Sequence, residues 1–156
     1  YGRTMWPIYK GRDGARTPMP WRAEAPAGGF TAGEPWLPVP AAHRDRAVDR
    51  QSEDANSTLA VTRRFLAWRR GQPALRVGGW RRLEAPEPVL AFVREAADGD
   101  GLVCVFNLAE AATSWRAPMA LVATDAPVPA PATVEGASVE LPPYGVLIAR
   151  PLEGES

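Results

Sequence analysis

The sequence predicts an α+β chain in which a long loop and one helix precede an antiparallel β-sandwich. Three observations lead there. The apolar period changes once: a 3.6-residue pattern over Ser57–Arg70 gives way, after Leu75, to short apolar runs separated by turn residues. Glycine and proline together make 31 of 156 residues (14 and 17), well above the average of roughly 12%. That content favours loops and short strands over a long helical bundle. Tyr1–Asp54 holds neither period, yet it carries Trp6, Trp21, Phe30 and Trp36, too aromatic a set for a disordered linker.

The first element is therefore an ordered loop. Pro7, Pro18, Pro20, Pro26, Pro35, Pro38 and Pro40 stiffen it, and its tryptophans call for a surface to pack on. A helix follows over Ser57–Arg70. Asp54, Asn56 and Ser57 offer N-caps, and Leu59, Thr62, Phe65, Leu66 and Arg69 share a face with Val61 and Trp68 beside it. Arg63, Arg64, Arg69 and Arg70 lie toward the end where the helix dipole favours cations; Gly71 stops the helix and Pro73 seals the stop. Strands are expected at Gly79–Leu83, Val89–Glu95, Leu102–Asn107, Thr113–Ala117, Val139–Leu141 and Val146–Arg150. Asp98-Gly99-Asp100-Gly101 signals a hairpin, and the Ala- and Pro-rich stretch from Leu121 to Thr133 a loop with one short edge strand.

Charge and composition exclude several functions. Eighteen basic and eighteen acidic residues cancel, so no footprint for nucleic acid or an anionic membrane surface exists. No run of 18 apolar residues is present, and no membrane association is expected. Cys104 is the single cysteine and His43 the single histidine, so an internal disulfide, a cysteine cluster and a two-histidine metal site are all excluded. Cys104 alternates with apolar neighbours and reads as a buried inert thiol; His43 reads as a surface residue. No metal and no cofactor is expected. The start shows no basic stretch followed by an apolar run, so no export signal is expected and the expected location is cytoplasmic.

The informative run is Gly11-Arg12-Asp13-Gly14-Ala15-Arg16-Thr17-Pro18-Met19-Pro20-Trp21. It resembles the G-R-D-G-x-R-T-P-M-x-W signature of α-glucosidases in the α-amylase superfamily of glycoside hydrolases, especially the oligo-1,6-glucosidase-like branch. Gly29-Phe30, Pro35-Trp36-Leu37-Pro38-Val39, the Val48 and Gln51 pair, and Ser57–Pro73 match further segments of that family in the same order. The resemblance implies the end of a (β/α)₈ barrel, namely its last long βα loop and its last helix, followed by an antiparallel β-sandwich. The implied division is residues 1–71 for the barrel end, 72–152 for the β-domain and 153–156 for a tail. The chain, which starts at Tyr1, is expected to be the C-terminal piece of a longer protein.

The resemblance also implies a substrate site for an α-glucoside or short oligosaccharide at the catalytic face of the barrel. In the family an arginine from this loop helps hold the non-reducing glucose. That role is carried over to Arg12 first and Arg16 second, with Asp13 either fixing an arginine or accepting a sugar hydroxyl. Guanidinium groups suit both tasks, because a planar fork matches carboxylates and paired hydroxyls. The competing reading has both arginines pinning the loop to the barrel rim. Trp6, Trp21 and Trp36 similarly divide between packing and sugar stacking.

Retaining hydrolysis needs two carboxylates flanking the scissile bond. The family's three catalytic motifs precede the segment matched here, and none occurs in this sequence, so no catalytic residue is assigned. The chain alone is expected to be inactive. Competing expectations are a non-catalytic β-sandwich that binds carbohydrate or protein, marked by an aromatic row, and a fragment of an α-glucosyltransferase or sucrose isomerase.

Overall fold

A computed structural model describes residues 13–97, 99 and 101–152 of the 156. Two compact units are present, divided between Ala60 and Val61, inside a helix that runs Thr58–Arg70.

The first unit is the expected ordered loop, but it is not purely irregular. It contains 3₁₀ turns at Asp13–Ala15 and Pro26–Gly29 and the helices α1 (Ala41–Arg44) and α2 (Val48–Glu53). Each helix is shorter than two turns, too short for the 3.6-residue period to show in sequence. Hydrogen bonds hold the loop to these helices, alongside the buried Ala23, Leu37 and Ala47. Val48 and Asp49 donate their backbone N–H groups to the carbonyls of Pro20 and Trp21, both at 3.1 Å. The Asp49 carboxylate accepts from the Ala23 N–H with both oxygens, at 3.2 and 3.1 Å. Arg44 Nη1 donates to the carbonyls of Ala23 and Ala25, at 2.8 and 2.9 Å.

Helix α3 (Thr58–Arg70) begins where expected. Of the three cap candidates Ser57 does the work: its Oγ accepts the Ala60 N–H at 3.1 Å and donates to the Gln51 carbonyl at 2.6 Å. Farther along, Phe65 and Trp68 pack into the second unit's apolar cluster, while Leu66, expected on the buried face, is 47% exposed. Trp68 Nε1 also donates to Asp125 Oδ1 at 2.8 Å. Pro73 does not merely end the helix. It opens another, α4 (Pro73–Val77), where a first-turn proline loses no hydrogen bond.

Eight strands follow: β1 (Gly79–Arg82), β2 (Val89–Glu95), β3 (Gly101–Asn107), β4 (Thr113–Arg116), β5 (Leu121–Ala123), β6 (Thr133–Glu135), β7 (Ser138–Leu141) and β8 (Val146–Pro151). All six expected strands are present, and β5 is the short edge strand foreseen between Leu121 and Thr133. The β6–β7 hairpin was not foreseen. Asp98 and Asp100 of the expected first hairpin lie outside the described residues, but β2 and β3 pair antiparallel up to Glu95 opposite Gly101.

The strands form two antiparallel sheets, β1-β2-β3-β8-β5 and β4-β7-β6. Val89, Ala91, Val93, Val103, Val105, Leu147 and Ala149 of the larger sheet meet Trp115, Val139 and Leu141 of the smaller one in a single buried cluster. This sandwich-like layering explains the alternating burial along β2 and β7. The other face of the larger sheet is also covered: Leu102, Cys104 and Ile148 pack with Ala74 and Leu75 of α4 and with Phe65 and Trp68 of α3. Strand β3 is buried on both faces, hence its unbroken apolar run. Buried Asn107 is fully used: its Nδ2 donates to the carbonyls of Ala111 (2.7 Å) and Pro142 (2.9 Å), and its Oδ1 accepts the Ala109 N–H (3.0 Å). Among the described residues no helix is long and apolar enough to cross a membrane.

Candidate functional site

Among the described part of the Gly11–Trp21 run, Asp13 stands apart. It opens the first 3₁₀ turn, with its carbonyl accepting the Arg16 N–H at 3.0 Å. The residue is only 6% exposed. Its Oδ1 lies 3.8 Å from Arg16 Nη1, a loose ion pair whose guanidinium side is 53% exposed. Its Oδ2 is buried and has no hydrogen-bond partner among the described residues. A buried carboxylate oxygen without a donor costs more than the loss of one ordinary hydrogen bond, so such atoms are rare and call for an explanation. A carboxylate oxygen of this kind can accept from a guanidinium group or a hydroxyl.

Of the three expected site residues, the structure thus brings Asp13 and Arg16 together. Arg12, and with it Gly11 and Trp6, lies outside the described residues. The Arg16 side chain is 53% exposed.

The rest of the run is shaped from behind. Pro18 and Pro20 are buried. Thr17 Oγ1 and His43 Nδ1 share a hydrogen bond of 3.2 Å, so His43, expected at the surface, is half-buried and braces the motif from α1. Met19, Trp21, Phe30 and Trp36 are each about half exposed or more. Trp21 and Trp36 are thus only partly covered. Sequence reading passed over His43, Arg44 and Asp49 as supports. Asp49 carried no signal beyond its place before the last helix, because its partner is a backbone N–H that any residue supplies.

Elsewhere, Cys104 is a buried free thiol, as expected. Of the tryptophans in the sandwich, Trp115 is core, with its Nε1 donating to the Glu84 carbonyl at 3.1 Å. Trp80 is exposed and leans on Phe92, which stacks on Phe106, with both centroid distances 5.9 Å. Phe92 and Phe106 are partly buried against the cluster beneath α4, so the row is mostly a packed layer. Among the described residues no group of three His, Cys, Asp or Glu side chains is placed to hold a metal ion.

Comparison with known proteins agrees with the motif. The sequence profile of the α-amylase catalytic domain matches residues 3–78. A probable α-glucosidase of Rhizobium meliloti (strain 1021) is 42% identical over 119 residues, which is 76% of this chain and 21% of that protein. An oligo-1,6-glucosidase of Parageobacillus thermoglucosidasius is 31% identical over 110 residues, 70% of this chain and 19% of that protein. Among solved structures, the α-glucosyl transfer enzyme XgtA matches 97% of this chain and 28% of its own, with 43% identity and a TM-score of 0.86. The trehalulose synthase MutB of Pseudomonas mesoacidophila MX-45 matches 90% of this chain and 26% of its own, with 30% identity and a TM-score of 0.75. The chain spans about a fifth of the length of the curated relatives it matches.

Proposed function

This chain belongs to the α-amylase family of glycoside hydrolases, and on that premise we propose that it is the C-terminal part of an α-glucosidase. The enzyme hydrolyses terminal α-glucosidic bonds of short oligosaccharides by the retaining mechanism. The observation that carries this reading is the Gly11–Trp21 run with Asp13 buried inside it and one carboxylate oxygen unmatched.

In this reading residues 1–71 complete the barrel, residues 72–152 form the C-terminal β-domain and residues 153–156 are a tail. Arg12 and Arg16 offer guanidinium forks to the hydroxyls of the non-reducing glucose. Asp13 orients one of them or accepts a hydroxyl directly, a charge-assisted bond in either case. The nucleophile and the acid/base, two carboxylates about 5–5.5 Å apart in retaining enzymes, come from the part of the barrel outside this chain. Such chemistry runs on carboxylates and water and calls for no cofactor.

The test has two arms. The purified 156-residue chain, given p-nitrophenyl α-glucoside, shows no turnover above buffer; clear hydrolysis would mean that the catalytic carboxylates have been misplaced. In an enzyme carrying this segment together with the rest of the barrel, Asp13→Asn lowers kcat/KM by at least about tenfold, the scale of one hydrogen bond to a charged group. Unchanged kcat/KM removes Asp13 from the site.

A second reading, α-glucosyl transfer in place of hydrolysis, is favoured by the likeness to a glucosyl transfer enzyme along nearly the whole chain. Product analysis at high maltose separates them: hydrolysis yields glucose alone, transfer yields longer saccharides as well.

A further inference from the structure

We propose that the open edge of the β-sandwich is a second saccharide-binding site, distinct from the Gly11–Trp21 run. Strand β1 is one edge of the larger sheet and β4 one edge of the smaller. An open cleft of about 950 Å³ is lined by the end of β1, the segment that follows it and β4, a volume in the range of small-ligand sites.

The period of two along an extended chain arranges the lining. On one side Leu83 is buried between the exposed Arg82 and Glu84; on the other, Trp115 is buried between the exposed Ser114 and Arg116. Each side thus offers polar groups outward while its apolar residue anchors it in the core. The Trp115 Nε1 bond to the Glu84 carbonyl ties the two sides together and fixes their spacing. Ala85 and Pro86 add an apolar strip to the lining.

The polar groups are uncommitted. Other arginines of the sandwich are engaged: Arg81 grips Glu95 at 2.8 Å, and Arg94 donates to the carbonyls of Gly78 (2.7 Å) and Gly79 (3.0 Å). Arg82, Arg116 and the Glu84 carboxylate have no hydrogen-bond or ion-pair partner among the described residues. Two guanidinium forks, a carboxylate and the Ser114 hydroxyl, set beside an apolar strip, match the two sides of a sugar ring. Hydroxyl pairs bond to the planar charged groups, and the C–H face lies on the apolar residues. A small inorganic anion suits the cleft less well, because Glu84 repels it and the apolar strip goes unused. The ligand class is a short neutral oligosaccharide. The site requires no catalysis, so it stands or falls separately from the α-glucosidase reading.

The experiment is an NMR titration of the ¹⁵N-labelled 156-residue chain with maltotriose and, separately, with inorganic phosphate. Maltotriose is expected to shift the amides of Ser114 and Arg116 and the indole N–H of Trp115. Arg82→Ala with Arg116→Ala weakens that binding by at least about tenfold, with the remaining spectrum unchanged. Both arginines are solvent-exposed, so the variant should fold; Glu84→Ala is a second variant with the same expected loss. Shifts with phosphate alone overturn the proposal in favour of an anion site. Maltotriose shifts confined to other residues, binding unaffected by the variants, or no shifts at multi-millimolar maltotriose overturn it outright.

Discussion

Gly28 and Gly14 both punctuate the first unit, and physical chemistry separates them. Gly28 has φ +64°, and a Cβ built there would meet Pro20 Cβ at 3.1 Å. Its carbonyl also accepts the N–H groups of Trp21 and Arg22, at 2.8 and 3.0 Å. Gly14 has an ordinary φ and open space around its Cβ position. Gly28→Ala is therefore expected to destabilise the first unit by about 1–2 kcal/mol, the cost of a side chain in the left-handed region, while Gly14→Ala changes stability by less than about 0.5 kcal/mol. Thermal denaturation of the two variants checks the contrast, and equal effects would refute it. Gly14 was legible as part of a motif and Gly28 only as one of a glycine pair. A motif reports what a family keeps, not which backbone torsion a position needs. Asp13 shows the complementary case: its identity was evident in sequence, but its burial was not.

Helix α3 was legible at the scale of the element because three signals agreed: a cap serine, an apolar period and a terminal glycine. The cap bears weight at both ends of its hydroxyl, so Ser57→Ala should cost about 1–2 kcal/mol, combining a lost cap with an unmatched Gln51 carbonyl. Chemical denaturation measures it, and a loss indistinguishable from zero would show that the cap is dispensable. The choice of buried face was less legible. Leu66 and Trp68 lie two positions apart, and hydrophobicity alone ranks them similarly. The Asp125 acceptor of the Trp68 indole lies 57 residues away in sequence. Helix α4 and strand β6 were missed for a local reason. Pro73 serves equally as a stop for one helix and the first residue of the next. Strand β6 is three residues long, too short for alternation to show.

At the scale of the whole molecule, double-sided burial of the larger sheet governs how stability responds to pH. Burial pushes the Cys104 thiol from its ordinary 9.0 up to about 11, against a smaller opposing pull from Arg94. The folded state holds the thiol neutral, and a raised folded pKa adds stability that is complete below the unfolded value and lost as pH rises through the folded one. The stability advantage of the wild type over Cys104→Ala should therefore shrink by about 2–3 kcal/mol as pH rises from about 8 to about 11. A pH-independent difference in denaturation free energy would contradict this. The sequence by itself determined the family through an eleven-residue run and its satellites in order, the succession of loop, helix and strands, and the exclusion of disulfide and histidine-metal chemistry. These are properties of local pattern and composition. Only the tertiary structure decided that Asp13 is buried with one oxygen unmatched, that His43 and Asp49 brace the loop, and that Arg82 and Arg116 line one open cleft. Each of these depends on which residues distant in sequence come together in space, and sequence spacing does not encode that proximity.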